Sequence, residues 1–268
     1  MKMPAFPPPR NWGKTLPGYA WFLGAWLVVM ILTPILDAIF GAPARPWVIS
    51  AGVLLQLLTV LAILSQQWPP RRTLTTTAAV FLLAWGVEAI GSTTGLPFGR
   101  YAYTPTLQPQ IRHVPLIIPL AWMMMLPPAW AVGSRIARGS GGLRFALASG
   151  LAFTAWDFFL DPQMVHWGFW VWQEPGGYFG IPWLNYLGWF IVASLLTLIL
   201  RPHALPVRPL LLIYTITWAL ETIGLILFWG LIGPGLVGGL VMGGMLAWAY
   251  ATRKDTSPLT TPAVEVAR

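Results

Sequence analysis

Apolar runs of about 20 residues, each long enough as a helix to cross about 30 Å of hydrocarbon, recur along the whole chain. Bounded by Arg, Pro or Gly, they fall at Tyr19–Phe40, Trp47–Gln67, Thr75–Thr94, Val114–Arg135, Arg144–Asp161, Pro182–Leu200, Pro209–Leu231 and Gly235–Ala251. Lipid offers backbone N–H and C=O groups no partner, so such runs can cross it only as helices. The expected fold is an all-α integral membrane protein with about eight transmembrane helices. Of 268 residues only 9% are charged, against about 25% in soluble domains, which excludes a water-soluble globule. In a soluble protein the net charge of +8 would suggest nucleic acid. Here the cations lie between the apolar runs, so topology accounts for them and no nucleic-acid partner is expected. The absence of cysteine excludes disulfides, thiolate metal sites and a cysteine nucleophile, and leaves the redox compartment open.

Charge also orients the chain. With eight spans, thirteen Lys and Arg share one side: Lys2, Arg10, Lys14, Arg71, Arg72, Arg135, Arg138, Arg144, Arg201, Arg208, Arg253, Lys254 and Arg268. Arg45, Arg100 and Arg112 take the other. The positive-inside rule then places both termini in the cytoplasm, and a turn at Gly233-Pro234-Gly235 is needed to keep that bias. Residues 1–18 read as a disordered cytoplasmic lead, 19–251 as one polytopic membrane domain, and 252–268 as a loose cytoplasmic tail. No small-residue cleavage site follows the first run, so it reads as a retained span. Trp85-x-x-Glu88-x-Ile90-Gly91 and Trp218-x-x-Glu221-x-Ile223-Gly224 match, as do Pro46-Trp47 with Pro182-Trp183, and Ala129-Trp130-Ala131 with Ala247-Trp248-Ala249. The matched spans lie four apart, which suggests a parallel 4+4 duplication with halves at about 19–135 and 144–251.

A charged side chain at mid-membrane costs about 2.5 kcal/mol or more, so an intramembrane acid marks function. Glu88 lies 13 residues past Thr75, Asp157 13 past Arg144 and Glu221 12 past Pro209, each about 20 Å up its span. Three acids at one depth can converge. Alternatively, Glu88 and Glu221 form a structural pair bonded to backbone or Trp N–H groups. Asp157 and Asp161 share a helical face, and two carboxylates that close cannot both ionise easily in low dielectric, so one stays available as an acid. The plainer alternative has Asp161, just before Pro162, serving backbone groups where its span ends. Asp37 lies near a span end.

The stretch Met164 to Ile181 carries Trp167, Phe169, Trp170, Trp172, Tyr178 and Phe179 without Lys or Arg, as expected of a re-entrant or interfacial segment. Interfacial belts explain most of the 17 tryptophans; some of these rings would instead line a groove for a long apolar ligand and face a cation. Asn185 is placed to bond one of the acids, or to pack helices. Gly95 to Tyr103 reads as a tight, ordered turn in which Tyr101 and Tyr103 would position water or a carboxyl group. Arg100 would do the same or pair with a lipid phosphate. Gly235, Gly239 and Gly243 read as a helix-packing stripe. His113, His166 and His203 lack metal-ligand spacing, and no metal is expected; nor is there a phosphate-binding or dinucleotide-binding motif.

Glu88-x-x-Gly91-x-x-x-Gly95-x-Pro97-Phe98-Gly99-x-Tyr101-x-Tyr103, then Asp157-x-x-x-Asp161-Pro162, Gly177-Tyr178-Phe179-Gly180-Ile181-Pro182, Asn185-Tyr186-x-Gly188-Trp189 and Glu221 resemble the membrane carotenoid 1,2-hydratases of bacterioruberin- and deinoxanthin-type carotenoid biosynthesis. The resemblance runs from about the second span to the eighth. It implies cofactor-free addition of water across the terminal carbon 1 to carbon 2 double bond of an acyclic carotenoid end, giving a tertiary alcohol. It also implies the cytoplasmic membrane of a bacterium or archaeon, with membrane lipids and other carotenoid-pathway enzymes as neighbours.

Such chemistry needs an acid for carbon 2, stabilisation of a tertiary cation at carbon 1, and a base for the attacking water. Asp157 or Asp161 suits the acid, and the second carboxylate or Glu88 the base, with Glu221 a further candidate. Asn185, Tyr101, Tyr103 and Tyr178 would bind or orient, and Trp156, Trp170 or Trp172 would offer a π face. A carotenoid cyclase would use the same acid and cation. A prenyltransferase would need a second Asp-rich motif, which the chain lacks. A transporter shares the duplicated helices and midplane acids.

Overall fold

The computed structural model describes residues 17–252. The lead, apart from Pro17 and Gly18, and the tail after Thr252 lie outside the described residues. Among the described residues eight helices are long and apolar enough to span a membrane: α1 (Ala20–Phe40), α2 (Arg45–Leu64), α3 (Pro70–Thr94), α4 (Ile117–Ala137), α5 (Gly142–His166), α6 (Trp183–Leu200), α7 (Val207–Leu227) and α8 (Ile232–Ala251). Four short strands, β1 (Tyr101–Tyr103), β2 (Gln110–Ile111), β3 (Val114–Pro115) and β4 (Trp170–Trp172), lie in the connections after α3 and α5.

Most helix boundaries shift by a few residues from the sequence reading, α3 starting at Pro70 instead of Thr75, and two of the shifts bear on the turns and the site. Helix α5 runs through Asp161-Pro162 to His166, because Pro removes one backbone donor while the membrane still penalises every other unpaired group. The α7–α8 turn lies at Phe228–Leu231, with Gly230 at φ +68. Gly233-Pro234-Gly235 falls in the first turn of α8, where proline's missing N–H is no loss.

Helices α4 and α5 are central: α4 packs on α2, α3, α5, α7 and α8, and α5 on α4, α6, α7 and α8. Glycines permit the closeness. A Cβ at Gly133 of α4 would sit 2.8 Å from the Ser149 backbone nitrogen of α5, and one at Gly150 2.8 Å from the Phe190 carbonyl of α6. The Gly235, Gly239 and Gly243 stripe faces Leu225 and Ile226, Thr222, and Trp218 of α7 respectively, so it is the packing surface expected. Helix α1 packs chiefly on α2, and Trp26 is its buried side chain.

Odd-numbered helices run one way, so the α3–α4 and α5–α6 connections meet at one end of the bundle. There β1 pairs antiparallel with β4, Tyr101 opposite Trp172 and Tyr103 opposite Trp170. The expected re-entrant segment is therefore half of a two-stranded cap. Eight of the 17 tryptophans, Trp26, Trp68, Trp122, Trp130, Trp156, Trp167, Trp170 and Trp189, are buried in the protein and so lie outside any interfacial belt. The two W-x-x-E-x-I-G copies sit in unlike surroundings: Trp85 donates to the Ile111 carbonyl, Trp218 to that of Gly239. The parallel duplication rests on the sequence matches alone.

Candidate active site

Strand alternation builds the roof. With a period of two, Tyr101 and Tyr103 of β1 and Trp170 and Trp172 of β4 share the inner face of the ribbon, while Val171 points out and is half exposed. Phe98 anchors the turn before β1 as a wedge between α3 and α6. A Cβ at Gly91 would lie 2.7 Å from its ring and one at Gly188 2.8 Å. That wedge explains why the glycines of the two motifs accompany Pro97-Phe98-Gly99.

Beneath the ribbon lies a cavity of about 340 Å³, lined among others by Glu88, Tyr101, Tyr103, Trp122, Trp156, Asp161, Trp170, Trp172, Asn185, Trp189 and Glu221. Its walls are mainly aromatic and aliphatic. The ring of Trp189 stacks on Trp122 at 4.9 Å and on Phe153 at 5.2 Å, and meets Trp156 edge-on at 6.1 Å.

Two carboxyl groups are held in this cavity by dense donor sets. Glu88 Oε2 accepts from the hydroxyls of Tyr101 at 2.5 Å and Tyr103 at 2.8 Å, and Oε1 accepts from Trp122 Nε1 at 3.1 Å. Burial first, and the Glu88 charge second, raise the Tyr101 and Tyr103 hydroxyls well above the ordinary phenol range, so both act as donors. Asp161 Oδ1 accepts from Trp170 Nε1 at 2.6 Å, and Oδ2 accepts from Asn185 Nδ2. Asp161 therefore bonds side chains from the cap and from α6. The alternative in which it serves a helix end falls with the continuation of α5 to His166.

Asp157 stands one turn below. Asn185 Nδ2 also donates to its Oδ2 at 2.8 Å, while Oδ1 has no partner among the described residues. Fully buried, Asp157 is absent from the cavity wall. The depth argument selected it by counting from the cytoplasmic end, whereas helix α5 is longer than its apolar run. Counted from the capped ends, Asp161 is five residues in, and Glu88 and Glu221 six each. Glu221 lines the cavity and makes no hydrogen bond with the described residues, so it and Glu88 are not a matched structural pair. Tyr178 lies outside the cavity: its hydroxyl donates to the Phe158 carbonyl and its ring packs with Phe158 and Tyr186. Asp37 pairs with Arg45 at 2.5 Å, and Arg100 is exposed, away from the cavity.

Sequence reasoning missed Trp122 as a donor to Glu88, and Trp189 as the centre of the stack. Trp122 precedes a run of three methionines in an apolar span, and nothing local distinguishes it from a packing residue.

A bisanhydrobacterioruberin hydratase from Haloarcula japonica is 32% identical over 127 residues, which make up 45% of this chain and 42% of that protein. The chain thus matches less than half the length of that relative. No solved structure matches. The family model described as carotenoid biosynthesis protein matches residues 48–245, a stretch that runs from α2 into α8 and holds both cavity carboxyl groups with their donors. The chain belongs to this carotenoid biosynthesis family.

Proposed function

We propose that this protein is a carotenoid hydratase that adds water to the terminal carbon 1 to carbon 2 double bond of an acyclic end group. The observation that carries the reading is the placing of Asp161 and Glu88 in one aromatic cavity, each gripped by its own donors. The relative's name as a hydratase supports the same class of reaction.

In this reading Asp161 delivers the proton to carbon 2. Its carboxylate, formed as the proton leaves, is met by the N–H groups of Trp170 and Asn185, donors that bind the product charge more strongly than the neutral acid. Asp157, behind Asn185, positions that amide. The tertiary cation at carbon 1 lies among indole rings of Trp156, Trp170, Trp172 and Trp189, each able to contribute up to about 2 kcal/mol once water is excluded. Glu88 takes a proton from the attacking water, with Tyr101 and Tyr103 fixing the carboxylate. The indole N–H groups of Trp156 and Trp172 donate to no group among the described residues, and Trp172 packs 5.2 Å from Tyr101, so a donor for that water is at hand. The proton gained at Glu88 equals the one lost from Asp161, and the net change is addition of H₂O. The ribbon cap faces the exterior and the chain ends the cytoplasm, by the charge bias.

Membranes containing the protein, given an acyclic-ended carotenoid in H₂¹⁸O, should form a product heavier by one labelled water. In D₂O the product should carry one deuteron at carbon 2. An isomer of unchanged mass would make it a cyclase, hydroxyl oxygen drawn from O₂ an oxygenase, and an unaltered but translocated carotenoid a transporter.

A further inference from the structure

The cavity extends beyond Asp161 and Glu88. Its wall passes from Trp156 and Trp122 to Gln56 on α2 and then outward between α1 and α7. Ile31 of α1, Ile223 of α7 and Phe228 after α7 belong to that wall and are 61%, 50% and 57% exposed. Ile31 is midway along α1 and Ile223 lies in the last turns of α7, where exposure of an apolar side chain is exposure to lipid, and Phe228 continues that apolar rim just beyond α7. The gap is built in. Helix α1 leans on α2, while α2 is tied inward to α7 by Gln56 Nε2 donating to Thr217 Oγ1 at 3.3 Å. The other end is closed by the ribbon above and by the Trp122–Trp189–Phe153 stack behind.

The geometry points to a lateral portal between α1 and α7 through which the polyene chain enters from the bilayer end-on, leaving its tail in the mouth or in lipid. This rests on the hydratase reading for the identity of the occupant. About 340 Å³ is at the low end of pockets for drug-sized ligands, about 300–1,000 Å³, and a full carotenoid exceeds it. Only an end group fits, so the remaining chain must leave through the open side. There the exposed wall is aliphatic and aromatic, suited to a polyene and unsuited to a headgroup.

The cysteine-free chain allows a direct test. Ile31→Cys, Ile223→Cys and, as a control on a lipid-facing side of α6, Leu195→Cys are each spin-labelled in detergent and returned to liposomes. Lycopene in the bilayer should cause loss of oxygen accessibility at positions 31 and 223 and no change at 195. Ile31→Trp with Ile223→Trp should lower kcat/KM about tenfold with kcat at saturation retained, the mark of impeded binding rather than impaired chemistry. Leu195→Trp should match the parent. Normal turnover with unchanged accessibility at 31 and 223 would overturn the portal and leave the hydratase reading intact. Accessibility lost at both sites with no hydration by the parent would overturn the hydratase reading and keep the portal as a carotenoid path.

Discussion

Asn185→Leu isolates the step on which the proposed mechanism turns. The amide is 1% exposed and donates to both Asp157 and Asp161, and leucine keeps nearly its shape while removing the donor. A hydrogen bond to a charged group is worth about 1.5–3 kcal/mol. If Asp161 becomes a carboxylate in the rate-limiting protonation, losing one of its two side-chain donors raises that barrier by about the same amount, a roughly 10- to 150-fold fall in kcat. Trp170 still donates to Asp161 Oδ1 at 2.6 Å, so activity should survive at a reduced level. Adding Trp170→Phe should cost more than the sum of the single effects allows for independent sites, because both donors serve one carboxylate. The assay is chromatographic quantification of hydrated product formed by purified protein in liposomes. Thermal unfolding followed by size exclusion separates loss of fold from loss of chemistry. A folded Asn185→Leu variant turning over within about twofold of the parent would refute charge development on Asp161.

Asp161→Asn should abolish hydration in a folded protein, since an amide cannot protonate an alkene, whereas Asp157→Asn should retain measurable turnover because that carboxyl is outside the cavity wall; product analysis of both variants checks the ranking. Gly133→Val places a side chain against the Ser149 backbone, 2.8 Å from its nitrogen even at Cβ, and overpacking of about 1–3 kcal/mol should lower the thermal midpoint. Gly244→Ala, with nothing within 4 Å, should not change it. A reporter fused after Arg253 should read as cytoplasmic and one inserted near Gly176 as exterior, and an exterior signal from the tail would reverse the orientation.

The spans were legible because an apolar run of about 20 residues has only one good solution in lipid, a helix with its backbone bonds internal. Glu88, Asp161 and Asn185 were legible as candidates for a related reason, since polar groups in hydrocarbon must have compensation or use. Sequence could not decide between Asp157 and Asp161. The two carboxyls share one face of α5 a turn apart, so the choice depends on depth along the helix, and α5 runs five residues beyond its apolar run to His166. That depth is settled by the β1–β4 ribbon, whose Trp170 donates to Asp161, the carboxyl nearer the capped end. Pairing of Tyr101–Tyr103 with Trp170–Trp172 was equally hidden. Two three-residue segments nearly seventy positions apart carry too short an alternation to announce a strand, and they meet only because α3 and α5 end at the same face of the bundle. Sequence by itself thus determined the medium, the helices and the polar groups that needed a reason to be there. Tertiary packing alone decided which of them share a cavity, because the depth at which the cap meets α5 and the meeting of distant strands depend on contacts that no local pattern encodes.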